Sequence, residues 1–453
     1  REALSERPVT ARDVLRIALP AVAGYLGFMF YDLVDVYWIA RLGTAPVAGV
    51  AAAGYWMWAI QAVLETTTIG CATLVAQAVG AGDEARARAV VGEAFRLSVL
   101  VSAALAAALW LAGRHLLSWM GLSPAALAAG WGFLRVVVLG LPALHMVLLG
   151  NQVFNARGDT RSVVAILSVT LLLNAALDPV LIFGWFGLPA LGAAGAAAAT
   201  LCAMAVGVLL RAVVLRRKRY IDGLSALLRG GRESWGRLVR IGGPTASAHF
   251  VWTMVYPLLV TVITRFGMAP LAGMSIAHRI ESVAYFVCVG FSTAAAALVG
   301  QRVGAGDPEG ARQAAAQSRR LVTWVLLPVA ALFVAVPSLL VGLVTSDPAA
   351  RAYGASYLRA IGVFEVFLGW ELVYEGAFNG LGRTGPYMRL SVPLTLGRYP
   401  AAFALVVLGG APVGAVWWCI SASTALKGLL LGRAFRREGG GAEAAAAPEP
   451  EPA

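Results

Sequence analysis

From residue 14 onward the sequence alternates long apolar stretches with short polar connections. Each stretch reaches the roughly 20 residues that an α-helix needs to cross the hydrocarbon core of a bilayer. The pattern predicts twelve crossings, at 14–40, 46–79, 84–112, 123–155, 160–184 and 189–217, then 236–266, 270–303, 308–345, 348–382, 385–408 and 411–436. The only long polar gap follows residue 217. The expected organisation is an all-α integral membrane protein in two six-helix bundles, with an amino-terminal lobe at 14–217 and a carboxy-terminal lobe at 236–436. A basic, partly amphipathic linker at 218–235 is expected to lie along the membrane surface. The tail at 437–453, rich in Ala, Pro and Glu, is expected to be disordered because it has almost nothing apolar to bury.

An internal repeat supports the two-lobe reading. RLGTAPVAGV from Arg41 matches RFGMAPLAGM from Arg265. At the same offset Gln77, Gly80, Gly82 and Asp83 fall on Gln301, Gly304, Gly306 and Asp307, and FNARGDT from Phe154 falls on FNGLGRT from Phe378. Six crossings per half is an even number, so both halves enter the membrane from the same side. Such parallel repeats are related by a pseudo-twofold axis along the membrane normal, and in transporters the substrate site lies between them. In the two GAGD connections Gly supplies the turn and Asp83 and Asp307 are placed to cap the next helix. No Lys-Ser or Lys-Thr follows them, so they are not phosphate-binding loops.

Composition agrees with a lipid-facing surface: 59% of residues are hydrophobic, 13% are charged and the mean hydropathy is +0.75. A net charge of +12 raises the question of nucleic acid. Such a partner would require the basic residues on one face, and here most of them fall in alternate connections, which is the positive-inside bias. Both termini are therefore expected in the cytoplasm, with no cleavable signal peptide. The four Cys stand alone in apolar segments and the four His are scattered, so no metal centre or disulfide is expected.

A charge at the bilayer centre costs at least about 2.5–3.5 kcal/mol on insertion scales, so each intramembrane acid calls for a reason. The candidates are Asp32, Asp35, Glu65 and Asp178 in the first half, and Glu281, Glu365, Glu371 and Glu375 in the second. Asn174 shares a helical face with Asp178. Pro179 follows at once and removes a backbone N–H from the same helix. If the first and fifth crossings are neighbours, Asp35 and Asp178 form a carboxylate pair able to take up a proton or Na⁺. For Asp32, Glu65 and Glu281 the competing reading is a helix-end or hydrogen-bonding role. Glu371, Glu375 and Asn379, spaced by four, form a polar stripe that either lines a pathway or faces the other half.

These residues resemble the multidrug and toxic compound extrusion (MATE) family over 14–436. The resemblance rests on YDLVDVYWIARLGTAPVAGV, the two GAGD helix ends and the FNARGDT and FNGLGRT segments. It implies two six-helix lobes, a central cleft and cation-coupled export of amphiphilic, often cationic, compounds. LLNAALDPVLIFG looks like the DNA-damage-inducible-F branch, which implies a cation site at Asp35, Asn174 and Asp178, with Thr200 as an accompanying hydroxyl. The seventh crossing has no acidic residue, which departs from the other main bacterial branch. The expected function is H⁺- or Na⁺-driven antiport by a monomer in the bacterial inner membrane, without a bound cofactor and not an enzyme. Asp32, Glu281, Glu371 and Glu375 are secondary candidates for lining the pathway. The alternative is a lipid-linked precursor flippase or a metabolite exporter. A flippase would carry many basic residues in its helix interiors, where the sequence offers chiefly Arg135, Arg279 and Arg398.

Overall fold

The computed structural model describes residues 8–223, 227 and 231–438, except for the side chain of Asp32. The tail expected at 437–453 lies outside the described residues beyond Glu438, as do 224–226 and 228–230 of the expected linker. Every extended regular element among the described residues is helical. The helices are α1 (Ala11–Ala40), α2 (Thr44–Gly80), α3 (Glu84–Ser118), α4 (Pro124–Ala156), α5 (Thr160–Phe183), α6 (Ala193–Arg217), α7 (Trp235–Ile263), α8 (Met268–Gly304), α9 (Pro308–Ala335), α10 (Pro337–Gly342), α11 (Pro348–Gly362), α12 (Glu365–Leu381), α13 (Gly385–Leu396), α14 (Arg398–Phe403) and α15 (Gly414–Glu438). A helix satisfies its own backbone hydrogen bonds, and an open strand in lipid does not.

Eleven helices among the described residues are long and apolar enough to cross a membrane. The expected tenth crossing is instead two shorter helices, α11 and α12, which meet at Val363 and Phe364. A Cβ on Gly362 would stand 2.7 Å from Phe333 Cβ on α9, so the chain passes close there before α12 begins at the buried Glu365. The expected ninth crossing stops at Ala335, and Pro337 opens the short α10. The eleventh is likewise subdivided: α13 and α14 are joined at Gly397, and a π-helical turn covers Ala404–Leu408.

The chain forms two compact units, and neither is a single continuous stretch of sequence. Among the described residues, one comprises 23–75, 83–223, 227 and 231–246; the other comprises 8–22, 76–82 and 247–438. Backbone contacts explain the exchanged segments. In the first unit a Cβ on Gly70 would lie 2.3 Å from the Leu238 carbonyl oxygen, and one on Gly242 would lie 1.9 Å from that of Thr66, so the start of α7 is bound to α2. In the second unit a Cβ on Gly290 would lie 2.9 Å from the Val22 nitrogen, which ties the start of α1 to α8. Small residues permit this approach where lipid offers helices no hydrophobic drive to associate.

The repeat is visible in the packing of each unit. Gly49 on α2 leaves no room for a Cβ, which would sit 2.2 Å from the Ala126 carbonyl oxygen on α4. At the repeat offset Gly273 on α8 meets the Ala350 carbonyl on α11 at 2.6 Å in the same way. Within the second unit Gly80 abuts the Gln301 backbone and Gly304 abuts that of Gln77, so the two copies of one motif pack reciprocally. Both GAGD turns have glycine in the left-handed region, at φ +74 for Gly82 and +73 for Gly306. Asp83 accepts from Arg86 N at 2.9 Å and Asp307 from Gly310 N at 2.7 Å, capping α3 and α9.

Candidate functional site

Local packing in the first unit brings three helices to one polar point. Gly24 and Gly27 place α1 against α5, where their Cβ positions would lie 3.8 Å from Val164 and 3.1 Å from Leu167. The two pairs keep one register along the helices, and that register carried forward sets Asp35 opposite Ala175, between Asn174 and Asp178. Gly195 does the same for α6: a Cβ there would be 2.4 Å from the Leu181 carbonyl oxygen of α5. The run of small residues from Gly192 to Ala199 thus delivers Thr200 to the α5 face that carries Asn174.

The side chains form a connected set. Asn174 Nδ2 donates to Asp178 Oδ1 at 3.2 Å and to Thr200 Oγ1 at 3.4 Å. Thr200 Oγ1 donates to Asp35 Oδ2 at 3.3 Å. Asp35 and Asp178 are thereby joined through Thr200 and Asn174. Asn174 and Asp178 are fully buried. Asn174 Oδ1 and Asp178 Oδ2 are buried oxygens without a hydrogen-bond partner. The Tyr31 hydroxyl, four positions before Asp35 on α1, is buried beside this set. It was not among the expected site residues, although its i, i+4 spacing from Asp35 placed it on the same face. Helix α5 runs unbroken through Pro179, whose missing N–H leaves the Ala175 carbonyl without its helical donor.

The other candidates lie elsewhere. The side chain of Asp32 is outside the described residues. Glu281 on α8 accepts from Tyr357 at 3.0 Å and pairs with His278 at 3.2 Å. Glu371 on α12 forms an ion pair with Lys427 of α15, and both are buried. Glu375 contacts His249 at 3.1 Å and accepts from Tyr387 at 2.9 Å. Of the polar stripe, Glu371 and Glu375 are thus each held by partners of their own unit. Lys427 was missed in the sequence: it is a lone basic residue in SASTALKGLLLG, three helices further along the chain than Glu371, with no local spacing to link the two.

The repeat supplies a counterpart to the first unit's site. At the repeat offset Asn174 corresponds to Arg398 and Thr200 to Thr424. Arg398 donates through Nη2 to Thr424 Oγ1 at 2.9 Å and through Nε to Ser423 Oγ at 2.6 Å. The amide–hydroxyl contact of one unit is a guanidinium–hydroxyl contact in the other.

The MatE family profile matches residues 20–180 and 244–419, most of the chain and part of each half. The chain belongs to the MatE family. Its curated relatives include a probable multidrug resistance protein NorM from Thermotoga maritima, 26% identical over 402 residues that span 88% of this chain and 87% of that protein. A FAD transporter from Shewanella oneidensis is 26% identical over 386 residues, 84% of this chain and 85% of that protein. Multidrug resistance protein PmpM from Pseudomonas aeruginosa is 26% identical over 86% of this chain and 81% of its own length. The fold is shared with solved transporters. A MOP superfamily transporter from Pyrococcus furiosus superposes with a TM-score of 0.89 at 22% identity, covering 97% of this chain and 98% of that one. A MATE structure in a bent conformation superposes with a TM-score of 0.88 at 21% identity, over 97% and 99% of the two chains. Membership in the MatE family makes this chain a multi-pass membrane transporter and not an enzyme.

Proposed function

We propose that this MatE-family chain is a secondary active exporter that exchanges H⁺ or Na⁺ for small amphiphilic organic cations. In this reading Asp35, Asn174, Asp178 and Thr200 form the coupling-ion site. One observation carries it: two carboxylates from different helices meet around an amide and a hydroxyl, and Asn174 Oδ1 and Asp178 Oδ2 lack donors. A buried polar atom without a partner costs about 1–3 kcal/mol. A proton on one carboxylate, or a sodium ion held by these oxygens, meets that need and removes the repulsion between like charges. Either ion binds the arrangement in which the carboxylates converge, so its arrival and release bias the conformational equilibrium only through that difference in binding. One charge moving down about 100 mV supplies about 2.3 kcal/mol. The multidrug resistance names of the NorM and PmpM relatives favour organic drugs as cargo. The alternate basic connections favour both termini in the cytoplasm, the bacterial relatives favour an inner membrane, and the reading takes a monomer as the working unit.

The test is uptake of a fluorescent organic cation into proteoliposomes under separately imposed proton and sodium gradients. Wild-type protein should accumulate the dye under one of them, and Asp35→Asn and Asp178→Asn should fall to the protein-free background while eluting as folded protein. Wild-type rates in both variants would overturn the site assignment. A second reading, export of a metabolite, is favoured by the FAD transporter relative. Gradient-driven movement of FAD without movement of organic cations in the same vesicles would select it.

A further inference from the structure

The second unit carries an open groove of about 480 Å³ between α9 and α12, lined among others by Gln317, Arg319, Arg320, Trp324, Leu327 and Trp370. Its depth follows from helix geometry. Arg319 stands about three turns past Pro308, the start of α9, and Trp370 about three turns before Leu381, the end of α12. Both therefore lie roughly 16 Å from the connection-side ends of their helices. On α9 the sequence changes at this level from Gln317, Arg319 and Arg320 to an apolar run from Leu321, which marks the boundary between headgroups and hydrocarbon. Trp324 is 64% exposed and Leu327 is 45% exposed, and both lie deeper along the same helix. Tryptophan concentrates at that boundary.

The polar end of the groove is organised for an anion. Trp370 Nε1 donates to Thr323 Oγ1 at 2.8 Å, which fixes the indole, and the Arg319 guanidinium stacks over that ring at 5.0 Å. Arg319 Nε is buried without a hydrogen-bond partner. Arg320 stands next to it, exposed, and no carboxylate among the described residues lines the groove. The fold does not require this arrangement. At the repeat offset the first unit has Phe95, Arg96, Leu100 and Met146 in place of Arg319, Arg320, Trp324 and Trp370. There the Arg96 guanidinium is occupied by the carbonyls of Leu227 and Gly231, at 3.2 and 2.8 Å.

We propose that this groove binds one anionic phospholipid, its phosphodiester on Arg319 and Arg320 and its acyl chains along Trp324 and Leu327. Two adjacent arginines lining the groove supply guanidiniums that suit phosphate oxygens, and the apolar continuation suits a molecule that carries chains below its charge.

The test is native mass spectrometry of detergent-purified, delipidated full-length protein. The protein is titrated with phosphatidylglycerol or with phosphatidylethanolamine of the same chains, with glycerol phosphate as the chain-free control. Wild-type protein should retain one phosphatidylglycerol at least about tenfold more tightly than phosphatidylethanolamine, a preference of about 1.4 kcal/mol. Arg319→Gln/Arg320→Gln should lose that preference, and Trp324→Ala should weaken both lipids while keeping the charge preference. An Arg312→Gln control, altered on the same helix but outside the groove, should bind as wild type. Equal phosphatidylglycerol binding by the double variant, no preference between the lipids, or equally tight binding of glycerol phosphate would overturn the proposal. Melting curves in phosphatidylethanolamine alone verify that the double variant is folded.

Discussion

Asn174 and Thr200 on one side and Arg398 and Thr424 on the other occupy equivalent positions of a repeated fold, yet their surroundings differ in charge. Asp35 corresponds to Leu259, and Asp178 to Ala402. In the first unit the amide and hydroxyl therefore sit among two carboxylates, the set proposed above to take up a cation. In the second unit both carboxylates are absent from those positions, and a guanidinium bonded to two hydroxyls stands at the amide position. A cation tethered to the backbone cannot leave, so it cannot couple transport to a gradient. Three acids of that unit have internal partners, namely Lys427 for Glu371, His249 and Tyr387 for Glu375, and His278 and Tyr357 for Glu281, whereas the buried Glu365 has an oxygen without one. Under the proposed function, ion exchange belongs to the first unit, and the ion pairs and hydrogen bonds of Glu371, Glu375, Glu281 and Arg398 are structural.

The strongest way to break this assignment is through Lys427. If its pair with Glu371 is structural, Lys427→Met alone leaves a buried carboxylate uncompensated and should destabilise the protein by about 3–5 kcal/mol. Glu371→Gln/Lys427→Met should recover most of that loss and retain ion-driven uptake, both read by chemical unfolding and vesicle transport. Loss of uptake in a stable double variant would move coupling into the second unit. Arg398→Leu should cost less, about 1.5–3 kcal/mol for its hydrogen bonds from charged nitrogen, with uptake per folded molecule unchanged. The smallest effects should come from the helix caps, where the halves are most alike. Asp83→Ala should lower stability by about 1 kcal/mol. Asp307→Ala should lower it somewhat more, because Asp307 also pairs with Arg302 at 2.6 Å. Equal losses from the two would mean that this pair contributes nothing.

The parts of this picture that were legible in the sequence are those written in short-range spacing. Asn174 and Asp178 are four apart, Gly80 to Asp83 repeats at Gly304 to Asp307, and the apolar runs set nearly every crossing. The break at Val363 and Phe364 was hidden, because no proline stands there and the apolar run continues through it. The Glu371–Lys427 pair was hidden for another reason: its members come from helices far apart in sequence, and only tertiary packing joins them. The exchanged starts of α1 and α7 depend on close backbone contacts at Gly290 and Gly242, which no periodicity reveals. The Arg398 substitution was present in the repeat alignment. Its meaning appeared only once Thr424 was seen to accept its hydrogen bond, as Thr200 does from Asn174.

The number of exchangeable cations per chain tests the central claim most directly. Calorimetric titration of purified protein with Na⁺, together with dye-reported proton release on drug binding in weak buffer, should count one cation per chain. Asp178→Asn should abolish it and Glu281→Gln should leave it in place. Two cations per chain, or one that survives Asp178→Asn, would contradict the account.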